Sequence, residues 1–320
     1  MCTPNIVREA LAGLQGPRRR ARKSVFGPDD QIGMLNLAND ADRLSILHRI
    51  DPAKAFDISV EYFVGMPSWT LAGDQDYQIW MTHTPSGTVV DETPGRTRDE
   101  NHTVAYSGDA ISMYTHTGTH IDSLNHFGYN GKIWNGFSAA DNLGSRHWTK
   151  AGADKLPAII GRGILLDIPK LLEINELPPS YEIGASDLQA ALERQRTDLR
   201  FGDVVLIRTG RMRSWPDKRR YLEASPGLNL DGAIFLARAG AMLVGADNAS
   251  LEYTPHPEEE YWNPVHCFML AEAGIPLLEN ADLEALAAEK IYEFAFIAAG
   301  LKFRGATGTP VRPLVFPLLK

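Results

Sequence analysis

A single mixed α/β domain is the fold class this sequence predicts, and three observations carry that prediction. Short apolar runs alternate with helix-spaced segments from about residue 159 to 300. The first 150 residues hold more Gly, Pro, Thr and Trp and fewer helix signals, which suits strands and long loops. No internal repeat or low-complexity linker divides the chain, and 320 residues at 44% hydrophobic content supply one sizeable core.

The elements follow in order. Residues 1–30 read as an N-terminal arm, and residues 31–320 as the domain. Arg18, Arg19, Arg20, Arg22 and Lys23 on the arm read as a solvated basic strip. Residues 159–168 (IIGRGILLDI) form a buried strand whose glycines allow close backbone approach. Ser186 and Gln189 resemble a capping box, with Leu188, Ala191 and Leu192 following at helical spacing. Gly202-Asp203 turns into a buried strand over 204–207. Residues 230–239 form a helix that Gly240 stops. A short strand over 242–246, a helix over 282–288 and an aromatic-rich strand over 292–298 complete the pattern.

Composition narrows the function. The net charge is -8 and the pI about 5.6, which argues against nucleic acid as the main partner. The two cysteines, Cys2 and Cys267, exclude a disulfide framework and a Cys-rich zinc site, and fit a reducing compartment. No apolar run approaches the roughly 18–20 residues of a membrane span, and the N-terminus shows no signal-peptide core. The expectation is a cytoplasmic enzyme without membrane or nucleic-acid partners.

Three of the nine histidines fall within eleven positions, at 116, 120 and 126, with Asp122 among them. In an extended strand alternate side chains share a face, so His116, His120 and Asp122 would point the same way. Gly118 would then leave room between the two imidazoles. The β-branched residues and glycine around them disfavour a helix. Two imidazoles and a carboxylate form a common shell for Zn²⁺, and suit Mn²⁺ or Fe²⁺ as well. A divalent metal held there would lower the pKa of bound water to about 7 and polarise a carbonyl. His126 falls where a general base could sit.

The run His116-x-Gly118-Thr119-His120-x-Asp122-x-x-x-His126-Phe127 resembles the signature of the cyclase family that includes bacterial kynurenine formamidase and isatin hydrolase. Residues 30–37, 55–59, 131–136, 161–167, 202–209, 243–248 and 274–279 are similar to further segments of its longer members. The resemblance implies a swivelling β/β/α fold with a small barrel-like sheet, assembled as a homodimer or homotetramer. It implies His116, His120 and Asp122 as ligands of Zn²⁺ or Mn²⁺, and His126 as the general acid/base. Some members bind a second metal through a later histidine and glutamate, which correspond here to His266 and Glu279. The spacing from His266 to Gly274 is one residue longer than in the short formamidases. Ser123-Leu124-Asn125 stands where formamidases often carry proline before the last histidine.

The reading that follows is a metal-dependent amidohydrolase. It would open a cyclic amide, imide or lactone, or cleave an aryl N-formyl group. The alternatives are a metal-dependent cyclase or lyase acting through an enolate, and a non-catalytic binding protein. Trp69, Trp80, Trp134 and Trp148 lie on loop-like sequence and read first as ordinary core or subunit packing; the alternative is an aromatic wall over a flat substrate, for which Trp134 is the foremost candidate. His83, His102 and His147 read as structural. Asp247, Asn248, Ser250 and Glu252 follow an apolar strand, where either a site-supporting or a capping role fits. Residues 256–260 (HPEEE) read as a solvated loop.

Overall fold

The computed structural model describes residues 4–14, 16–70, 72–92, 95–255 and 262–319. Cys2 and the 256–260 run lie outside the described residues. Strands occur in the order β1 (Phe56–Asp57), β2 (Gln78–His83), β3 (Gly108–Ser112), β4 (His120–Asp122) and β5 (Ile159–Asp167). They continue with β6 (Glu182–Ile183), β7 (Val204–Arg208), β8 (Gly227–Leu228), β9 (Leu243–Ala246) and β10 (Leu277–Glu279). The last are β11 (Glu293–Ala298), β12 (Gly308–Pro310) and β13 (Leu314–Pro317).

Nine of these form one mixed sheet in the order β1-β13-β11-β5-β7-β9-β10-β4-β12. Its centre, β5-β7-β9-β10, is parallel, and its flanks are antiparallel. The sheet curls into a half-barrel. Parallel strands need crossovers and are buried on both faces. Accordingly every residue of β7 and β9 is buried, and the Ala185–Gln195 and Leu230–Ala239 helices supply two crossovers. Asn229 caps the second helix by accepting the Gly232 N–H, and Gly240 ends it at φ +83°.

Three local expectations change. The first helix starts at Ala185 rather than beyond Ser186, and Asp187 accepts the Gly184 N–H at 2.9 Å. The β5 glycines admit side chains rather than backbone: a Cβ on Gly163 would lie 2.0 Å from the Phe294 ring of β11. The basic strip is anchored. The Arg18 and Arg19 N–H groups donate to Glu272, the Lys23 ammonium donates to the Asn135 carbonyl, and Leu11 and Leu14 are buried in the core. Among the described residues no helix is long and apolar enough to cross a membrane.

Candidate metal centre

The site is built around β4, which has only three residues. Its register with β10 sets Glu279 opposite His120 and Leu277 opposite Asp122. On its other edge β12 sets Gly308 opposite Asp122. The two-residue period turns His120 and Asp122 to one face, as expected. His116 is not on that strand. It lies in a turn before β4, with Gly118 in the left-handed region at φ +64°. The shared extended face therefore covers 120 and 122 but stops short of 116.

Gly118 also has a different use from the one expected. A Cβ there would lie 2.6 Å from the Tyr62 ring, whose hydroxyl donates to the Thr117 carbonyl. The space for the His116 imidazole comes from Gly308, where a Cβ would lie 2.6 Å from His116 Cε1.

His116, His120, Asp122, His266 and Glu279 converge in one buried cluster. His116 Nδ1 is 2.6 Å from Asp122 Oδ1, and His120 Nε2 is 3.3 Å from the same oxygen. His120 Nε2 is 3.4 Å from Glu279 Oε2. His266 Nε2 lies 3.1 Å from Glu279 Oε1 and 3.6 Å from Asp122 Oδ2. Ligand atoms of His116, His120 and Asp122 lie within 4.8 Å of one another, and so do those of Asp122, His266 and Glu279. Asp122 belongs to both groups.

Two ring tautomers are set by what surrounds them. His120 Nδ1–H donates to the Gly118 carbonyl at 2.8 Å, which leaves the Nε2 lone pair facing the carboxylates. His266 Nδ1–H donates to Glu252 Oε1 at 2.5 Å, leaving its Nε2 free in the same way. Glu252 also accepts the main-chain N–H groups of Val265 and His266, each at 3.2 Å. It thus caps the helix and orients the imidazole at once. The stretch Cys267–Ala273 that follows His266 is π-helical and ends at Gly274 in the left-handed region, at φ +69°.

The donor set fits a divalent cation. His120 Nε2, Asp122 Oδ2 and Glu279 Oε1 are buried and make no hydrogen bond. A buried polar atom left unsatisfied costs about 1–3 kcal/mol, more when charged. Three such atoms, all acceptors, aimed into one space form an arrangement that a bound cation relieves.

His126 stands beside the cluster. Its ring stacks on His116 at 3.9 Å between centroids, and its Nε2 lies 3.9 Å from Asp122 Oδ2. Burial and the neighbouring His116 imidazole push it well below the ordinary histidine value, against the pull of Asp122. Burial opposes ionisation of Asp122, yet His116 and His126 outweigh it and hold the carboxyl well below the usual carboxylate range.

A cavity of about 450 Å³ opens above His116, His126, His266 and Glu279. Trp69, Tyr114, Phe127 and Trp262 form its aromatic walls, and Asp74 also lines it. Of the four tryptophans weighed from sequence, Trp69 lines it. Trp134 is buried away from the cavity, its indole N–H donating to Asp30 and its ring packed on Gly274. Trp80 is on β2, and Trp148 packs against the core. Phe127, the last residue of the motif, and Tyr114, two residues before His116, supply walls that the tryptophan candidates did not include. Trp262 is distant in sequence, and nothing local marks it.

His83 packs at a tilt against the Tyr106 ring, His147 Nδ1 contacts the Trp148 carbonyl, and His102 is in the last turn of the Arg98–Thr103 helix. Asp247 does not reach the cluster. It accepts the N–H groups of Thr209 and Gly210 and the Thr209 hydroxyl, and burial pushes it up to about 6.

Fold and site together define a mixed α/β protein with a buried histidine–carboxylate centre at the junction of a parallel sheet and its antiparallel flank. Comparison with known proteins gives the family. The family profile described as "Putative cyclase" matches residues 56–253, and the chain belongs to that cyclase family. It is similar to kynurenine formamidase of Bacillus thuringiensis subsp. konkukian, at 27% identity over 65% of this chain and 79% of the relative. The corresponding enzyme of Geobacillus thermodenitrificans is 30% identical over 63% and 76%. Among solved structures, a novel cyclase superposes with a TM-score of 0.80 at 28% identity, covering 91% of this chain and 97% of its own. Isatin hydrolase A from Ralstonia solanacearum shares the fold, with a TM-score of 0.62 at 17% identity over 83% and 92%.

Proposed function

We propose that this chain is a metal-dependent amidohydrolase acting on a cyclic amide, imide or lactone, or on an aryl N-formyl group. The observation that carries the reading is the convergence of three buried acceptors without hydrogen bonds, His120 Nε2, Asp122 Oδ2 and Glu279 Oε1, beside a neutral histidine at the floor of an aromatic cavity. The relatives named kynurenine formamidase and isatin hydrolase support the C–N bond class.

His116, His120 and Asp122 would hold Zn²⁺ or Mn²⁺, with His266 and Glu279 completing the shell or holding a second ion through shared Asp122. The cation would supply Lewis acidity, polarising the scissile carbonyl and making nearby water more acidic. The rest falls to the chain. His126, neutral at pH 7, takes a proton from the attacking water as the new C–O bond forms. It returns that proton to the departing nitrogen, or to the departing oxygen of a lactone, as the bond to the carbonyl carbon breaks. Asp122, 3.9 Å away, stabilises the imidazolium in between. Trp69, Tyr114, Phe127 and Trp262 sandwich a flat ring and exclude bulk water.

His126→Ala is expected to abolish turnover of a responsive amide or N-formyl aniline while metal content persists. Turnover by the fully metal-stripped protein would contradict the hydrolase reading. Solvent oxygen-18 in the product would separate hydrolysis from an enolate-based lyase.

A further inference from the structure

The basic strip of the N-terminal arm has no use in the candidate metal centre. It does not lie flat on the surface. Arg18, Arg20, Arg22 and Lys23 surround a cavity of about 280 Å³, and Glu272 is the only acidic residue lining it among the described residues. Four cations against one carboxylate leave three positive charges in excess, in a chain whose net charge is -8.

That carboxylate is already engaged. Glu272 is buried, and its two oxygens accept the Arg18 and Arg19 main-chain N–H groups at 2.8 and 3.0 Å. No carboxylate among the described residues comes within ion-pair distance of the side chains of Arg18, Arg20, Arg22 or Lys23. Three of them hold carbonyls instead. Arg22 Nη2 donates to Ala10 at 2.8 Å, Arg18 Nη2 to Gly13 at 3.4 Å, and Lys23 Nζ to Asn135 at 2.9 Å. A guanidinium or ammonium carries several N–H donors, so one carbonyl leaves the rest unused. Arg22 is half-buried without a counter-ion, which charged groups normally avoid. Burial and the nearby Arg18 guanidinium pull its pKa below the ordinary arginine value, against Glu272.

We propose that this cavity between the arm and Glu272 is a binding site for a small phosphate ligand with the charge of a diphosphate group. Guanidinium forks match phosphate oxygens two at a time. A carboxylate brings one negative charge and a single phosphate about 1.5–2 at pH 7. Two linked phosphates therefore come nearest to balancing the excess of three. The volume is at the small end of ligand pockets, which span about 300–1,000 Å³, so the site takes a compact group. The ligand would also act on the fold. Arg22 donates its main-chain N–H to the Ala271 carbonyl at 2.9 Å, and Ala271 and Glu272 both belong to the π-helical stretch after His266. Bridging the cations fastens the arm to that stretch. The inference rests on the arm and stands apart from the metal reading.

Isothermal titration of the full chain with sodium pyrophosphate is expected to show saturable binding at about 0.1 M salt, where charges beyond roughly 10 Å are screened. Orthophosphate binds more weakly by about 10-fold or more, having fewer charge-assisted hydrogen bonds to make. The double substitution Arg20→Gln/Arg22→Gln raises the pyrophosphate dissociation constant by about 10-fold or more. Arg96→Gln/Arg98→Gln removes the same charge from an exposed stretch elsewhere and leaves it unchanged. Hydrogen exchange of residues 18–24 in the unaltered chain is a readout independent of any variant's folding, and pyrophosphate slows it. Four results overturn the proposal: no pyrophosphate binding by the wild-type chain, undiminished binding in Arg20→Gln/Arg22→Gln (as binding at the metal centre would give), orthophosphate binding as tightly, or exchange over 18–24 indifferent to pyrophosphate. A chain that sediments with phosphatidylglycerol vesicles yet ignores free pyrophosphate also overturns it, in favour of a membrane surface.

Discussion

Glu252 shows how much of the site depends on a residue outside the ligand set. Its carboxylate accepts the His266 Nδ1–H and two main-chain N–H groups. A carboxylate can take all three because both oxygens only accept. A glutamine must turn its amide toward one of those donors. Glu252→Gln is therefore expected to weaken metal binding by about 10–100-fold, the usual effect of losing an orienting partner. Equilibrium titration with Zn²⁺ or Mn²⁺ checks this, and an unchanged affinity would remove Glu252 from the account. His126 makes a separate prediction. Burial and His116 depress its value below 6.5, so it stays neutral through pH 7 and becomes charged only well below 6.5. A base must be neutral to accept a proton, so kcat/KM should hold as pH falls through 6.5 and decline on the acid side of it. A limb centred above 6.5 would contradict that assignment.

Elements explain why the motif is shaped as it is. Only β4 lies between β10 and β12, and its register fixes which side chains face one another. Gly308 on β12 makes space for His116, since a Cβ would meet that ring at 2.6 Å. Gly118 in the preceding turn makes space for Tyr62 and takes a positive φ. The two glycines should therefore fail differently. Gly118→Ala should cost stability, on the order of 1–3 kcal/mol. Gly308→Ala should displace His116 and cost metal affinity out of proportion to melting temperature. Thermal melts and metal titration of both variants compare the two; equal effects on the two observables would show that Gly308 has no special relation to His116.

At the scale of the whole molecule, the legible parts were those with local causes. The helix over 230–239 and its stop at Gly240 matched because capping and apolar spacing are written in adjacent residues. The strands near 204 and 293 were legible as continuous apolar runs, the pattern of a sheet covered on both faces. The shared face of His120 and Asp122 was legible from their two-residue spacing, whereas His116 joins them from a turn. The long-range pairings were not legible in local pattern. His266 and Glu279 came from the family resemblance, and nothing local pairs Glu279 with His120, or Glu252 with His266. The turn at His116 depends on Tyr62 and Gly308, which are remote in sequence. Trp134 drew attention by its nearness to the motif, yet the fold turns it onto Gly274. Trp262 reaches the cavity wall only because the chain returns there.

The central claim is that these buried side chains form a metal centre, and Asp122, common to both ligand groups, is where it can be tested most directly. Elemental analysis of the wild-type chain and of Asp122→Asn, each equilibrated with Zn²⁺ or Mn²⁺ and desalted, is the decisive measurement. The account predicts at least one equivalent of metal per wild-type chain and a loss of it in Asp122→Asn with native circular dichroism retained. A metal-free wild-type chain after saturation, or an Asp122→Asn chain that keeps its full complement, would contradict it.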